Sequence, residues 1–429
     1  MLSLLRKLIP ERSPLRLLYH KMMAVGAAYW YGFPGKQMKI VAITGTSGKS
    51  TTAELTWYGL QKAGKKCGML SGIQFHFGEE TLPNHTLRTT LSSRRTQKYL
   101  RRMVREGCEI AVLEVSSHAI DQNRLWGVPV DIAVLTNVAN NEHLDYHKTY
   151  AEYVQTKTKL FSPAKVAIIN ADDEQKEVFA GVSEGEKLFY GLRNETDLRG
   201  TKEKFSSHST SFDLHIKTEM TNITAPLVGR HNLENLLAAI SVLHTQKVPL
   251  TTIQKTFENF AGIPGRLEII DEGQACSVIV DHTYKPPALR AVLQTLKKII
   301  DGRLIVVWGG TGSRLPEFWA EAGQILDEFA DEIILTTDDP YKDNPKKIAR
   351  IVRTQIHREE GDRFFEIEDR YEAIRYALLT AEKKDTVLIA GRGHETTQTI
   401  GKKVIPFDDR AVAREILAMV KPGFHSLKK

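Results

Sequence analysis

The chain has 429 residues, of which 41% are hydrophobic and 26% charged, and its formal net charge is +7. This length predicts two or three domains, and the composition is that of an ordinary soluble globular protein. No apolar run approaches the roughly 18 residues of a membrane-spanning helix, and residues 1–10 lack the pattern of a secretory signal. Three cysteines that lie far apart, without a CxxC pair, argue against zinc and against a disulfide framework. We therefore expect a cytoplasmic protein.

The positive charge is concentrated at the start of the chain, where residues 1–40 contain seven lysines and arginines but one acid, Glu11. Ser13-Pro14 predicts an N-cap followed by proline in the first turn of a helix. One face of that helix is apolar, at Leu15, Leu18, Met22, Val25 and Tyr29. The simplest interpretation is a helix packed on the main body of the protein. A basic amphipathic helix that contacts an anionic membrane through residues 1–36 is the alternative, whereas no recognition motif supports nucleic-acid binding.

The segment TGTSGKST at residues 44–51 is the most informative motif of the chain. It follows an apolar run at 40–43 and precedes residues that predict a helix. This order of strand, glycine loop, lysine and helix binds nucleotide phosphates, because backbone N–H groups point at the anion and the lysine reaches the outer phosphates. Position 43 is Ile, so the spacing departs from the strict GxxxxGK[ST] pattern. The candidate phosphate-binding residues are Gly45, Thr46, Ser47, Gly48, Lys49, Ser50 and Thr51.

Alternating apolar runs and helical stretches predict an α/β protein with mostly parallel sheets. The main strands are predicted at 39–44, 109–115, 131–136, 165–170, 277–281, 303–308, 332–336 and 386–390. Residues 185–225 differ, since their short Thr-, Ser- and Phe-rich pieces predict an antiparallel hairpin or meander. The sequence GIPGR at 262–266 predicts a hinge. We therefore expect a basic helical segment at 1–37, a first α/β domain at 38–262 and a second at 263–429.

Polar side chains follow several of the predicted strands. Glu114 ends an apolar strand in VLEVSSH, where an acid can hold Mg²⁺; a solvated or paired glutamate is the ordinary alternative. LTN at 135–137 leads to EHLDYH at 142–147 and then to Lys157 on a predicted helix, a set that suits a metal or a phosphate or is simply solvated. GRHNLEN at 229–235 predicts a helix start whose amides, at Asn232 and Asn235, can read an adenine. In AGRGHE at 390–395 the glycines let the backbone approach a ligand closely.

The order of the motifs is more specific than any one of them. In sequence they read TGTSGKST, LEVSSHA, LTN…EHLDYH, GRHNLEN, PGRLE, IVDHTYKPPAL, LTTDDP and AGRGHE…IPFDDR. Over residues 38–420 the chain thus resembles the Mur ligase family, and within it the MurE type, which joins an amino acid to a UDP-N-acetylmuramoyl dipeptide in peptidoglycan synthesis. The resemblance implies a central P-loop ATP-binding domain with a mostly parallel sheet, followed by a Rossmann-like C-terminal domain.

The resemblance also implies the reaction. ATP phosphorylates the terminal carboxylate of the acceptor to an acyl phosphate, and the amine of an amino acid then displaces the phosphate to form an amide. Such chemistry depends on positioning and on cations around the anions. Lys49 would contact the outer phosphates, and Ser50 with Glu114 would hold a first Mg²⁺. His143 would bind a second Mg²⁺ together with Lys157, a lysine that is carbamylated by CO₂ in the family.

Further roles follow from the resemblance for residues outside this catalytic set. Asn235 and Asp281 would contact the adenosine part of ATP, with Arg266 near the phosphates. The residues that would contact the muramyl peptide are Thr89, Thr90, Ser116, Gln122 and Arg124. The residues that would surround the incoming amino acid are Arg314, Asp338, Asp339, Gly391 and Glu395. A monomer is the usual state in the family.

The chain departs from the family pattern in its acceptor half. Fewer than 45 residues precede the glycine loop, where MurE-type enzymes carry a separate domain for the UDP-sugar. The DNPR motif linked to diaminopimelate reads DDPY, so Tyr341 replaces its arginine. The DYAHTP motif reads DHTYKP, which displaces its histidine to His282, and LPEFW follows Arg314 in place of a basic pair. L-lysine or another amino acid is therefore favoured over meso-diaminopimelate.

Two other functions stay open at this stage. One is a Mur-like ligase that acts on a lipid-linked muropeptide, a folate-type polyglutamate tail or another carboxylate acceptor. The basic N-terminal helix favours the lipid-linked version. The other is a nucleotide-binding scaffold without catalysis, against which the retention of the catalytic set argues.

Overall fold

The computed structural model describes residues 12–86, 88–139, 146–193 and 196–419. The chain divides into two compact units. The first comprises Met1–Glu203, Ser211–Thr224 and His231–Asn259, and the second comprises Lys204–Thr210, Ala225–Arg230 and Phe260–Lys429. None of the helices in the described ranges has the length and apolar character needed to cross a bilayer.

The first unit is a large sheet with helices packed on it. Its helices are α1 Pro14–Trp30, α2 Lys49–Lys62, α3 Ser93–Arg105, α4 Ser117–Asp121, α5 Tyr150–Thr158, α6 Lys176–Val182, α7 Arg230–Thr245 and α8 Leu250–Glu258. Its strands are β1 Lys39–Thr44, β2 Cys67–Leu70, β3 Gln74–Phe77, β4 Glu80–Pro83, β5 Ile110–Glu114, β6 Ile132–Leu135, β7 Val166–Asn170, β8 Glu186–Gly191, β9 Leu198–Phe205, β10 Thr210–Ile216 and β11 Glu219–Ala225.

In the described residues these strands form one eleven-stranded sheet in the order β11-β10-β9-β8-β7-β6-β1-β5-β2-β3-β4. β1 lies between β5 and β6 and is parallel to both. The pairing aligns Ile43 with Glu114, so the carboxyl ends of β1 and β5 meet at one edge of the sheet. The prediction of an antiparallel piece over 185–225 is wrong for its first strands, because β8 is parallel to β7 and β9 is parallel to β8.

Helix α1 begins as predicted, since the Ser13 side chain accepts a hydrogen bond from Arg16 N and Pro14 occupies the first turn. Its packing differs from the prediction. The buried residues are the alanines at 24, 27 and 28, whereas Leu18 is 54% exposed and Met22 65% exposed. Small side chains let the helix backbone lie close to its neighbours, so the larger apolar residues are left on the open side. Arg101 of α3 fixes the end of the helix through the carbonyls of Tyr31 and Gly32.

The second unit contains a six-stranded sheet in the order β12-β13-β17-β14-β15-β16 and a two-stranded sheet, β18-β19, in the described residues. Its strands are β12 Glu268–Ile269, β13 Ser277–Asp281, β14 Leu304–Gly310, β15 Glu332–Thr337, β16 Phe364–Glu366, β17 Thr386–Ala390, β18 Thr397–Ile400 and β19 Lys403–Pro406. Its helices are α9 Pro286–Lys297, α10 Pro316–Phe329, α11 Pro345–Arg353, α12 Arg370–Thr380 and α13 Asp409–Met419.

The six-stranded sheet is parallel except at β12, which is antiparallel to β13. Both of its faces are covered. Val306 and Trp308 of β14 belong to the apolar cluster on one face, and Ile305 and Val307 belong to the cluster on the other, as the alternation of a strand requires. The predicted α/β class is confirmed, and each of the main predicted strands is found within two residues of its limits.

Candidate active site

The glycine loop joins β1 to α2 at the sheet edge. Gly48 is the N-cap of α2 and has φ +80°, a left-handed conformation that favours glycine. A Cβ at Gly48 would overlap Oδ1 of Asn235 on α7. Asn235 Oδ1 also accepts a hydrogen bond from Thr52 Oγ1 at 3.3 Å. The predicted adenosine residue Asn235 therefore lies directly against the phosphate-binding loop.

Residues that follow β6 hold the loop from its other side. Ser47 N donates to Asn137 Oδ1 at 3.0 Å, and Thr46 N donates to the Asn137 carbonyl at 2.8 Å. The hydroxyls of Thr46 and Tyr153 lie 3.0 Å apart. Sequence reasoning assigned no role to Asn137 or Tyr153, although LTN directly follows a strand that ends at the same edge.

Two lysines converge on the loop. Lys49 Nζ donates to the carbonyls of Gly45 and Thr46 at 3.0 and 2.7 Å. Lys157 Nζ, on α5, donates to the same Gly45 carbonyl at 2.8 Å and lies 4.6 Å from the Tyr153 ring centroid. Burial, with the nearby charge of Lys49, holds the pKa of Lys157 well below its usual range. A buried lysine and a loop lysine thus share one backbone oxygen.

Ser50 and Glu114 form the oxygen pair expected for Mg²⁺. Ser50 Oγ lies 3.0 and 2.9 Å from the two carboxylate oxygens of Glu114, and Gly72 N donates to Glu114 Oε2 at 2.6 Å. In the described residues no group of three or more His, Cys, Asp or Glu side chains is arranged to hold a metal ion. Mg²⁺ usually takes one or two carboxylates, waters and substrate phosphates, and the pair Ser50–Glu114 fits that requirement. His143 lies outside the described residues.

The predicted muramyl-peptide residues form one network beside the loop. Thr90 Oγ1 lies 3.2 Å from Ser116 Oγ and accepts a hydrogen bond from Ser116 N at 2.9 Å. Arg124 donates to the Thr90 carbonyl at 2.8 Å and to Gln122 Oε1 at 3.0 and 2.7 Å. With Thr89, Lys49 and Lys157 they line a cavity of about 1160 Å³.

Sequence reasoning missed the remaining lining of this cavity. It consists mainly of residues from α1 and from the segment 88–95, including Arg88, Arg94 and Arg95. The basic character of the segment SSRRTQK at the start of α3 was the available signal.

In the second unit, Arg266 and Asp281 lie close to one another at the carboxyl end of β13. Asp281 accepts a hydrogen bond from Leu267 N at 2.7 Å, and Thr283 donates to its other oxygen. Burial raises the pKa of Asp281 to about 6, although the charge of Arg266 acts in the opposite direction. The displaced His282 lies against Arg392, whose carbonyl is 3.0 Å from its Nδ1.

The predicted amino-acid pocket is organised around an arginine that sequence reasoning did not select. Arg392 is fully buried and pairs with Asp338 at 3.1 Å and Asp339 at 2.9 Å, while Glu395 lies 3.8 Å away. Burial, with Asp339 and Asp338 nearby, raises the pKa of Glu395 to about 8 against the opposing effect of Arg392. A Cβ at Gly391 would lie 2.6 Å from Asp338 Oδ2. The structure thus brings together four of the residues predicted for this pocket: Asp338, Asp339, Gly391 and Glu395.

Arg314 is placed differently from the other members of its predicted set. It is exposed, and its guanidinium lies over the rings of Tyr284 and Phe318 at 5.6 and 5.5 Å. In the described residues no ion pair joins Arg314 to Asp338 or Asp339.

A parallel sheet with a glycine loop, a lysine, a hydroxyl and a strand-end carboxylate defines a P-loop nucleotide-dependent enzyme. Residues 43–243 match the Mur ligase middle domain, and residues 265–393 match the Mur ligase, glutamate ligase domain. The chain therefore belongs to the Mur ligase family and is an ATP-dependent ligase that forms an amide bond.

Individual relatives agree with this family. The chain is 36% identical over 419 residues to the UDP-N-acetylmuramoyl-L-alanyl-D-glutamate--2,6-diaminopimelate ligase of Bacillus licheniformis, covering 95% of this chain and 85% of the relative. A solved structure of a ligase with the same name has a TM-score of 0.69 at 31% identity and covers 89% of this chain and 78% of its own. A folylpolyglutamate synthase of Mycobacterium tuberculosis, solved with ADP and AMPPCP, shares the fold with a TM-score of 0.68 at 16% identity, covering 93% and 95% of the two chains.

Proposed function

We propose that the protein adds an amino acid to a UDP-N-acetylmuramoyl dipeptide in peptidoglycan synthesis, through an acyl-phosphate intermediate. The observation that carries this proposal is the convergence of Lys49, Lys157 and the pair Ser50–Glu114 beside a cavity lined by polar residues. The names of the most similar relatives support the same acceptor. We propose 38–262 and 263–429 as the limits of its ATP-binding and C-terminal domains.

The residues of the loop would bind ATP. Backbone N–H groups from Gly45 to Thr51 would cradle the phosphates at the start of α2, and Lys49 would exchange its carbonyl partners for the outer phosphates. Mg²⁺ held by Ser50 and Glu114 would neutralise charge on the transferred phosphoryl group. Asn235 and Asp281 would contact the adenosine part of ATP, and Arg266 would lie near the phosphates.

Lys157 and His143 would hold a second Mg²⁺. For this role Lys157 would react with CO₂, which forms an N–C bond and releases one proton, so that the side chain ends in a carboxylate. Its burial beside the loop supports a fixed, structural position for such a group. A ¹³C-carbonyl signal after growth or incubation with ¹³CO₂, absent from Lys157→Met, is the expected result. Its absence from the wild-type protein would contradict carbamylation.

Thr89, Thr90, Ser116, Gln122 and Arg124 would contact the muramyl peptide. Arg314, Asp338, Asp339, Gly391 and Glu395 would surround the incoming amino acid. Three carboxyl groups face one arginine in this cluster, and Tyr341 stands where a second carboxylate of diaminopimelate would need a cation. We therefore expect L-lysine to be a better substrate than meso-diaminopimelate. An amino-acid panel scored by ADP release measures this preference directly.

The central experiment is an ADP-release assay with UDP-N-acetylmuramoyl dipeptide and the amino-acid panel. Release that requires both the acceptor and an amino acid is expected. Release indifferent to the acceptor would contradict the proposed function, and no release at all would favour a nucleotide-binding scaffold. Glu114→Gln serves as the inactive variant, since it removes a Mg²⁺ ligand without changing the size of the side chain.

We also propose that the protein is a cytoplasmic monomer whose N-terminal segment, residues 1–36, touches anionic membranes. The excess of positive charge in residues 1–40, seven lysines and arginines against one acid, supports this contact. Co-sedimentation with phosphatidylglycerol vesicles tests it, with neutral vesicles as the control. Sedimentation at equilibrium tests the monomer.

A further inference from the structure

The cavity beside the glycine loop has an aliphatic wall. Helix α1 contributes Leu15, Leu18, Met22 and Met23 to its lining. These side chains are 67%, 54%, 65% and 45% exposed, respectively, although they are large and apolar. At 1.5 Å per residue, the stretch from Leu15 to Met23 extends about 12 Å along the helix. Such a row of exposed aliphatic side chains in a cavity marks a binding surface for an apolar group.

The rest of the lining is strongly cationic. Among the residues that the structure describes, seven lysines and arginines line the cavity, whereas no aspartate or glutamate does. Six of them, Arg16, Lys49, Arg88, Arg94, Arg95 and Arg124, supply positive charge, and the seventh is Lys157, whose pKa burial holds well below its usual range. Within the described part of the chain, no ion pair joins Arg88, Arg94 or Arg95 to a carboxylate. An anion is therefore the electrostatic complement of this wall.

One cavity thus combines the catalytic lysines, an anion-binding wall and an aliphatic wall. In a UDP-linked acceptor, the carboxylate can contact the catalytic lysines and the diphosphate can contact the anion-binding wall. Its nucleoside, however, has no aliphatic part to place against α1. A muropeptide carried on a polyprenyl diphosphate has a group for each of the three features, because its prenyl chain can also contact the aliphatic wall. We propose that the enzyme also accepts such a lipid-linked muropeptide, with the first part of the prenyl chain against α1 and the diphosphate against the arginines. This inference rests on the proposed function, because it assumes the same ligation at the same loop.

The test compares two acceptors that share the muramyl dipeptide and the diphosphate and differ in the carrier, either uridine or a short prenyl chain in detergent. ADP release gives kcat/KM for each acceptor. We expect the wild-type enzyme to use both acceptors. The variant Leu18→Glu/Met22→Glu should shift the ratio of the two kcat/KM values against the prenyl acceptor by about tenfold or more, because charged side chains would replace an apolar contact. Both positions are exposed, so the variant should fold, which circular dichroism checks.

Leu379→Glu is the matched control, since Leu379 is 48% exposed on helix α12 and does not line the cavity; its ratio should equal that of the wild type. Arg94→Ser/Arg95→Ser should weaken both acceptors, because both contain the diphosphate. No turnover of the prenyl acceptor beside normal use of the UDP acceptor would overturn the inference and leave the proposed function intact. No turnover of either acceptor would overturn the proposed function itself. An unchanged ratio in Leu18→Glu/Met22→Glu, together with loss of binding to acceptor-free vesicles, would assign the helix to the membrane surface instead.

Discussion

The side-chain amines of Lys49 and Lys157 both donate to the carbonyl oxygen of Gly45, at 3.0 and 2.8 Å. One lysine belongs to the glycine loop, and the other comes from α5, more than a hundred residues later. Both amines therefore lie at the glycine loop, where a nucleotide's phosphates are expected. The backbone oxygen satisfies Lys49 here in the way that an outer phosphate would during the reaction.

Lys49→Met should lower kcat for ADP release by about 10²–10³-fold, the usual effect of removing one preorganised donor from a developing anion. The fold should persist, because Met keeps the length of the side chain. Lys62→Met, at the exposed end of the same helix, is the control and should retain the wild-type rate. Equal rates in wild type and Lys49→Met would exclude a role in phosphoryl transfer.

Gly48→Ala tests the contact between the loop and α7. Alanine in a left-handed conformation costs about 1–2 kcal/mol, and the added Cβ would also overlap Asn235 Oδ1. Gly48→Ala should therefore lose more unfolding free energy than the conformational cost alone. In an Asn235→Ala background, where the overlapping oxygen is absent, Gly48→Ala should lose only about 1–2 kcal/mol. Urea unfolding of the four proteins of the cycle measures both losses.

Gly64→Ala is the matched control for this cycle. Gly64 has φ +76°, close to that of Gly48, and no atom lies within 4 Å of its added Cβ. The unfolding free energy lost in Gly64→Ala should therefore be the conformational cost alone and should not depend on Asn235. If Gly48→Ala and Gly64→Ala lost the same free energy, the steric contact with Asn235 would be refuted.

Arg392→Met should destabilise the protein by about 3–5 kcal/mol, because it removes the guanidinium that pairs with the buried Asp338 and Asp339. Adding Asp338→Asn should recover part of this loss. The control is Arg375→Met, whose partner Glu372 is exposed, and its effect should stay within about 0.5 kcal/mol. A small effect of Arg392→Met in urea unfolding would show that the two aspartates are neutral without the arginine.

Glu395→Gln should change how stability depends on pH. The pKa of Glu395 is raised to about 8, so between the ordinary glutamate pKa and about 8 the folded protein binds a proton that the unfolded chain does not. The unfolding free energy of the wild type is therefore highest at low pH, where Glu395 is protonated in both states, and it falls as the pH rises through that window. Relative to wild type, Glu395→Gln should gain about 1–3 kcal/mol of unfolding free energy between about pH 5 and pH 8.

Urea unfolding at several pH values measures this gain, and Glu359→Gln at an exposed position should run parallel to wild type. A constant difference between Glu395→Gln and wild type across the range would contradict the raised pKa.

The sequence is sufficient to predict contacts that depend on parallel strands. Glu114 and the glycine loop follow β5 and β1, and such strands end at one edge when they are neighbours. The hydrogen bond between Ser50 and Glu114 is therefore no surprise. Asp338 and Gly391 also lie close together, because both follow parallel strands of the second sheet, although β14 lies between those two strands.

Contacts that depend on how helices pack could not be predicted in this way. The apolar stripe of α1 indicates a buried face, but the alanines of the helix make closer contacts, and the stripe is left open. The sequence predicted no role for Arg392 within the AGRGHE motif, because its role depends on ion pairs with two aspartates that lie more than fifty residues away. The role of Lys157 in the reaction stays a prediction, whereas its burial is a fact of the fold.

The alanine contacts of α1 have a consequence for how this enzyme can change over time. The helix precedes β1, to which the short turn Pro34–Gln37 connects it, and it lies outside the sheet that holds the glycine loop. Substitutions on its open side can therefore alter which carrier is recognised while the machinery that consumes ATP keeps its geometry. The proposed carrier contacts and the ATP-binding loop thus belong to separate elements of the first unit, and we expect a helix transplanted from a relative to change the first without disturbing the second.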